Sequence, residues 1–83
     1  MATLQFYTRP NCALCHSALA VVRRVQKRIA FELDVIDIDT DAALCARYDH
    51  VIPVVRFKNQ ELARCFVDEK KLREALRKIT AEG

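Results

Sequence analysis

Apolar and polar positions alternate along this chain with two periods, and their order predicts the elements. Leu4-Gln5-Phe6-Tyr7-Thr8 is short, apolar and aromatic and stops at Arg9-Pro10-Asn11, which predicts a buried strand followed by a turn. From Ala13 onward, Leu14, Ala18, Val21, Val22, Val25 and Ile29 follow helical spacing, while Arg23, Arg24, Lys27 and Arg28 fall mostly on the opposite face. Phe31-Glu32-Leu33-Asp34-Val35 alternates, and Ile36 and Ile38 then shift the phase, predicting a second strand with a slip or bulge near its end. Two strands joined by a helix imply a parallel, right-handed βαβ unit.

Asp39, Thr40 and Asp41 are N-cap candidates for a short helix through Ala43, Leu44, Arg47 and Tyr48. Val51-Ile52-Pro53-Val54-Val55-Arg56-Phe57 predicts a strand with a proline near its start. Lys58-Asn59-Gln60 then turns the chain into Glu61-Leu62-Ala63-Arg64-Cys65-Phe66, completing a hairpin. Asn59 is the residue best suited to a left-handed backbone there, since the one glycine is the C-terminal residue. Asp68 can cap a last helix with Leu72, Ala75, Leu76 and Ile79 on its core face. The order is βαβαββα, an α/β arrangement.

Composition narrows the choice of class. Eighty-three residues, 52% hydrophobic and 30% charged, leave room for one domain over residues 1–83 and disfavour disorder. A net charge of +3, spread over helix faces without an aromatic-studded basic stripe, argues against a nucleic acid partner. The N-terminal residues lack the pattern of a signal peptide, and no stretch has the length of a membrane span. The expectation is therefore a cytoplasmic monomer without membrane association.

The candidate chemistry lies at the first strand-to-helix junction, Arg9-Pro10-Asn11-Cys12-Ala13-Leu14-Cys15. Two cysteines separated by two residues, in a compartment that keeps thiols reduced, read as a cycling dithiol. A first cysteine at a helix N-terminus faces unpaired backbone N–H groups and the positive end of the helix dipole, which favour its thiolate. A second cysteine one turn on is close enough to attack a mixed disulfide formed by the first. Cys12 is the expected nucleophile and Cys15 the resolving thiol.

Other constellations fit less well. Cys12-Ala13-Leu14-Cys15-His16 satisfies a haem-attachment pattern, but it opens a long helix after a strand, and Met1 is the only methionine. Cys45 and Cys65 are isolated and supply no second pair for zinc, and the carboxylates Asp34, Asp37, Asp39 and Asp41 lack calcium-loop spacing. No metal is expected.

Tyr7-Thr8-Arg9-Pro10-Asn11-Cys12-Ala13-Leu14-Cys15, followed by Ile52-Pro53 and a terminal helix, resembles a short glutaredoxin-like branch of the thioredoxin superfamily over nearly the whole chain. The resemblance implies a thioredoxin-like fold, a four-stranded mixed sheet flanked by helices on both faces. It also implies a cis Ile52–Pro53 bond whose backbone pairs with an extended substrate. Arg9 stands where glutaredoxins often carry a lysine that attracts a glutathione carboxylate, so Arg9, Pro10, Ile52 and Pro53 become the implied substrate-binding residues. Two positions depart from the glutaredoxin pattern: Ala13-Leu14 replaces Pro-Tyr between the cysteines, and Arg64-Cys65-Phe66-Val67 replaces the Gly-Gly before the last helix.

The expected activity is thiol–disulfide exchange on protein or low-molecular-weight disulfides. No tightly bound cofactor is required, and either glutathione or a thioredoxin-reductase-type flavoprotein would act as reductant. The alternative is a non-catalytic thioredoxin-fold module that senses redox state or docks a partner.

Overall fold

The computed structural model describes residues 2–82. Strand β1 (Thr3–Thr8) leads into helix α1 (Ala13–Gln26), strand β2 (Glu32–Asp37), a 3-10 turn (Ile38–Thr40) and helix α2 (Ala42–Tyr48). Strands β3 (Val54–Phe57) and β4 (Gln60–Arg64) then form the hairpin, and helix α3 (Glu69–Glu82) follows. The strands form one mixed sheet in the order β2-β1-β3-β4, with β1 parallel to β2 and antiparallel to β3.

Alternation along the central strands separates two apolar layers. Leu4 and Phe6 of β1 and Val55 and Phe57 of β3 join Ala18, Val22 and Val25 of α1 and Leu72, Leu76 and Ile79 of α3. Tyr7 and Val54, one position out of phase, pack instead with Ile38 and with Leu44 and Tyr48 of α2. Because successive side chains of a strand point to opposite faces, the two layers lie on opposite sides of the sheet. This is the thioredoxin-like architecture that the family resemblance implies.

Four local expectations need correction. The register of β2 against β1 runs unbroken from Thr3↔Glu32 to Thr8↔Asp37, so β2 has no bulge. The phase shift arises because the chain leaves the sheet at Ile38, which the 3-10 turn buries completely. The irregularity lies in the hairpin, where Val55 pairs with Ala63 and Arg56 with Glu61, leaving Leu62 as the extra residue of β4. The third strand begins at Val54 rather than Val51, because Val51–Pro53 form the approach to it, with Val51 N–H donating to the Tyr48 carbonyl. The fourth ends at Arg64, since Cys65 has a positive φ of 65° that breaks the extended chain.

The fourth correction bears on the site. Leu14 has helical core spacing but is 62% exposed, and the buried stripe of α1 runs through Cys15, Ala18, Val22 and Val25. Asp41 caps α2 by accepting from Ala43 and Leu44 N–H, and Asp68 accepts from Lys71 N–H at the start of α3. The hairpin turn places both Lys58 and Asn59 at positive φ, as a two-residue type I′ loop demands.

Candidate active site

The dithiol sits where β1 hands over to α1. Asn11 takes a φ of 62°, a conformation that asparagine tolerates better than most residues, and this turns the chain so that Cys12 becomes the N-cap of α1. Cys12 is extended, with φ −103° and ψ 105°, and its sulfur accepts a hydrogen bond from Cys15 N–H at 3.2 Å. Its carbonyl accepts from His16 N–H at 3.0 Å, closing the first helical turn. The sulfur thus takes the place of the serine or aspartate oxygen that usually satisfies an unpaired N–H at a helix start.

The two cysteines have unequal surroundings. Cys12 is half-buried, whereas Cys15 is 3% exposed and belongs to the α1 core stripe. Burial pushes the Cys15 thiol above its ordinary range, and its contact with Cys12 adds to this. The Thr8 side chain and the Arg9 backbone act in the opposite direction. Both cysteines are free thiols. An open cavity of about 590 Å³ lies over them, lined by Thr8, Arg9, Pro10 and Asn11 and by Cys12, Ala13, Cys15, His16 and Leu19.

The cis Ile52–Pro53 bond stands at the head of β3, where Pro53 is fully buried and Ile52 packs at the margin of both apolar layers. The segment after β4 is tied to this loop, since Cys65 N–H donates to both the Val51 and Pro53 carbonyls at 2.9 Å. Phe66, the next residue, is 71% exposed. Phe66 and Leu14 line one apolar groove of about 280 Å³ together with Ser17, Ala18, Val21, Cys65 and Val67.

Arg9 lines the cavity, and its guanidinium is engaged by acidic partners. Nε and Nη2 donate to Asp39 Oδ1 at 3.3 and 2.8 Å, Nη1 donates to Asp49 Oδ1, and Nη2 also reaches Cys45 Sγ at 3.4 Å. The ion pair holds Asp49 below the usual carboxylate range, chiefly through the Arg9 side-chain hydrogen bond. Sequence reasoning missed Asp39 and Asp49 as neighbours of Arg9. They lie 30 and 40 positions away, and nothing local distinguishes Asp49 from any helix-end carboxylate. It also missed the exposure of Leu14 and Phe66. Among the described residues, no three His, Cys, Asp or Glu side chains are grouped so as to hold a metal ion.

A four-stranded sheet with helices on both faces, a cysteine capping the first helix and a cis proline at the head of the third strand together define a thioredoxin-like fold. Within that class the chain belongs to a glutaredoxin-like family: the family model described as Glutaredoxin-like domain (DUF836) matches residues 3–77. A protein from Nitrosomonas europaea, solved in solution by NMR, is 33% identical to the chain. The alignment covers 89% of each, with a TM-score of 0.77. An X-ray structure of a protein from X. campestris is 32% identical over 90% of this chain and 96% of its own, with a TM-score of 0.78. A glutaredoxin from Brucella melitensis, 23% identical over 98% of this chain and 87% of its own, shares the fold with a TM-score of 0.63. A search of the curated proteins finds no match. Family and fold support a redox-type role.

Proposed function

We propose that this protein is a thiol–disulfide oxidoreductase in which Cys12 is the nucleophile and Cys15 the resolving thiol. The observation that carries this reading is the hydrogen bond from Cys15 N–H to Cys12 Sγ at 3.2 Å. A helix N-terminus aims a donor and its dipole at the sulfur, stabilising negative charge on it, while the second thiol is held in reserve one turn on.

The Cys12 thiolate attacks one sulfur of a substrate disulfide, forming a Cys12–substrate bond, and the other substrate sulfur leaves as a thiolate that takes a proton from solvent. Cys15, losing its proton to solvent, attacks Cys12 Sγ and displaces the second substrate sulfur as a thiol. Two electrons have passed to the substrate and the protein holds a Cys12–Cys15 disulfide. Two external thiol groups, from glutathione or from a thioredoxin-reductase-type flavoprotein, return the pair to the dithiol. The chemistry calls for no tightly bound cofactor, and we place it in the cytosol, where such reductants keep thiols reduced. Substrate would enter over Pro10 and alongside Ile52 and Pro53. Among the described residues the Ile52 backbone has no hydrogen-bond partner, which suits it to pair with an extended segment.

The test is a redox titration in glutathione buffers with mass mapping of alkylated cysteines. A reversible Cys12–Cys15 disulfide with a potential between about −180 and −270 mV is the expected result. A pair that never forms, or that the buffer cannot reduce, would favour a binding module on the same fold.

A further inference from the structure

Arg9 lines the cavity over the dithiol, and Leu14, between the two cysteines, lines an apolar groove with Phe66; together they point to what the site accepts. Resting on the exchange reading above, we propose that the site takes an uncharged disulfide-bonded peptide segment with a large apolar residue beside its cysteine. Asp39 and Asp49 enforce this choice by withholding Arg9 from anionic disulfides such as that of glutathione.

Arg9 is the only lysine or arginine among those lining either the cavity over the thiols or the Leu14–Phe66 groove. All three of its guanidinium nitrogens are engaged by Asp39, Asp49 and Cys45. One guanidinium against two carboxylates leaves the cluster with a net negative charge. Glutathione disulfide carries two more carboxylates than ammonium groups at neutral pH, so it meets repulsion where a free arginine would attract it.

Leu14 stands between the two cysteines in the chain, and it lines one groove with Phe66, which follows a residue bonded to the Val51 and Pro53 carbonyls. At 62% and 71% exposed they are two of the three large hydrophobic side chains left open among the described residues. No charged residue lines that groove. An apolar side chain next to the attacked cysteine removes Leu14 and Phe66 from water, whereas the γ-glutamyl and glycyl ends of glutathione offer nothing to bury there. The preference is a difference of two affinities, one raised by the groove and one lowered by the acidic cluster.

The experiment measures the rate at which the reduced full-length protein is oxidised by three probes. These are a neutral disulfide peptide with Phe next to cysteine, the same peptide with Glu in that place, and glutathione disulfide. The neutral peptide is expected to react about ten-fold faster than either anionic probe. Asp39→Asn/Asp49→Asn should raise the glutathione-to-peptide ratio about ten-fold through KM, while Asp39→Glu/Asp49→Glu keeps the wild-type ratio, which a purely structural role would not do. Phe66→Ser, at a side chain 71% exposed, should lower the ratio of the Phe peptide to the Glu peptide. Equal rates for all three probes, or ratios unmoved by both the Asn pair and Phe66→Ser, would overturn the proposal while leaving the exchange reading intact. If no probe produces a Cys12–Cys15 disulfide, the exchange reading itself fails.

Discussion

The backbone N–H of Cys15 donates to the sulfur of Cys12 across 3.2 Å, so the residue expected to resolve the mixed disulfide also supports the one expected to form it. The bond uses the Cys15 main chain, and its thiol stays buried in the α1 stripe. The two roles therefore separate cleanly by mutation. Cys12→Ser should lower exchange at least about 1,000-fold, because the reacting atom is gone. Cys15→Ser keeps the N–H and should accumulate a covalent adduct on Cys12, detectable by mass spectrometry under non-reducing conditions.

Stability should fall on both sides of neutral pH. Asp49 is held below the usual carboxylate range by Arg9, Glu69 by Arg24 and Glu61 by Arg64. A carboxylate with a lower pKa folded than unfolded stabilises the protein above its unfolded value, near pH 4, and this is lost as pH falls through the folded value. The urea midpoint should drop below about pH 4, less steeply in Asp49→Asn. Burial raises the Cys15 pKa, so its contribution is complete below the unfolded thiol value of about 8.5 and is lost as pH rises through the folded one. Cys15→Ser should flatten the alkaline limb of the same titration.

Cys65 occupies a left-handed conformation, with φ 65°, at a position anchored by the Val51 and Pro53 carbonyls. A non-glycine residue there costs on the order of 1 kcal/mol, and a β-branched one more. Cys65→Gly should be more stable than Cys65→Val by about 1–2 kcal/mol in equilibrium unfolding, with wild type between them. Equal stabilities would show that the backbone relaxes at this point.

Leu76 and Leu14 are the same residue type in opposite surroundings, the first fully buried between α3 and the sheet and the second 62% exposed. Leu76→Ala should cost about 2–5 kcal/mol through lost burial and a cavity. Leu14→Ala should change stability by less than about 0.5 kcal/mol, as at an ordinary surface position.

The order of elements was legible because each carries its own period. Leu4 and Phe6, the α1 stripe and the Leu72–Leu76–Ile79 stripe bury the faces that their spacing announces. Ile38 misled because a residue that leaves a strand for a 3-10 turn has the same apolar character as one that continues it. Leu14 misled because helical spacing says which residues share a face, not how far along that face packing extends. Cys65 gave no sign of its left-handed backbone, since cysteine has no preference for it and the carbonyls that hold it come from Val51 and Pro53.

By itself the sequence determined the α/β element order, the strand–turn–helix junction and the presence of a dithiol there, because hydrophobic period, turn residues and Cys-x-x-Cys spacing are properties of neighbouring residues. Tertiary structure alone decided the strand order β2-β1-β3-β4, the engagement of Arg9 by Asp39 and Asp49, and the exposure of Leu14 beside Phe66. The ion pairs and the groove join residues 30 to 52 positions apart, and the β1–β3 pairing that completes the strand order joins residues 47 to 53 apart. The free energy that selects them comes from burying both faces of one sheet at once, which no local stretch encodes.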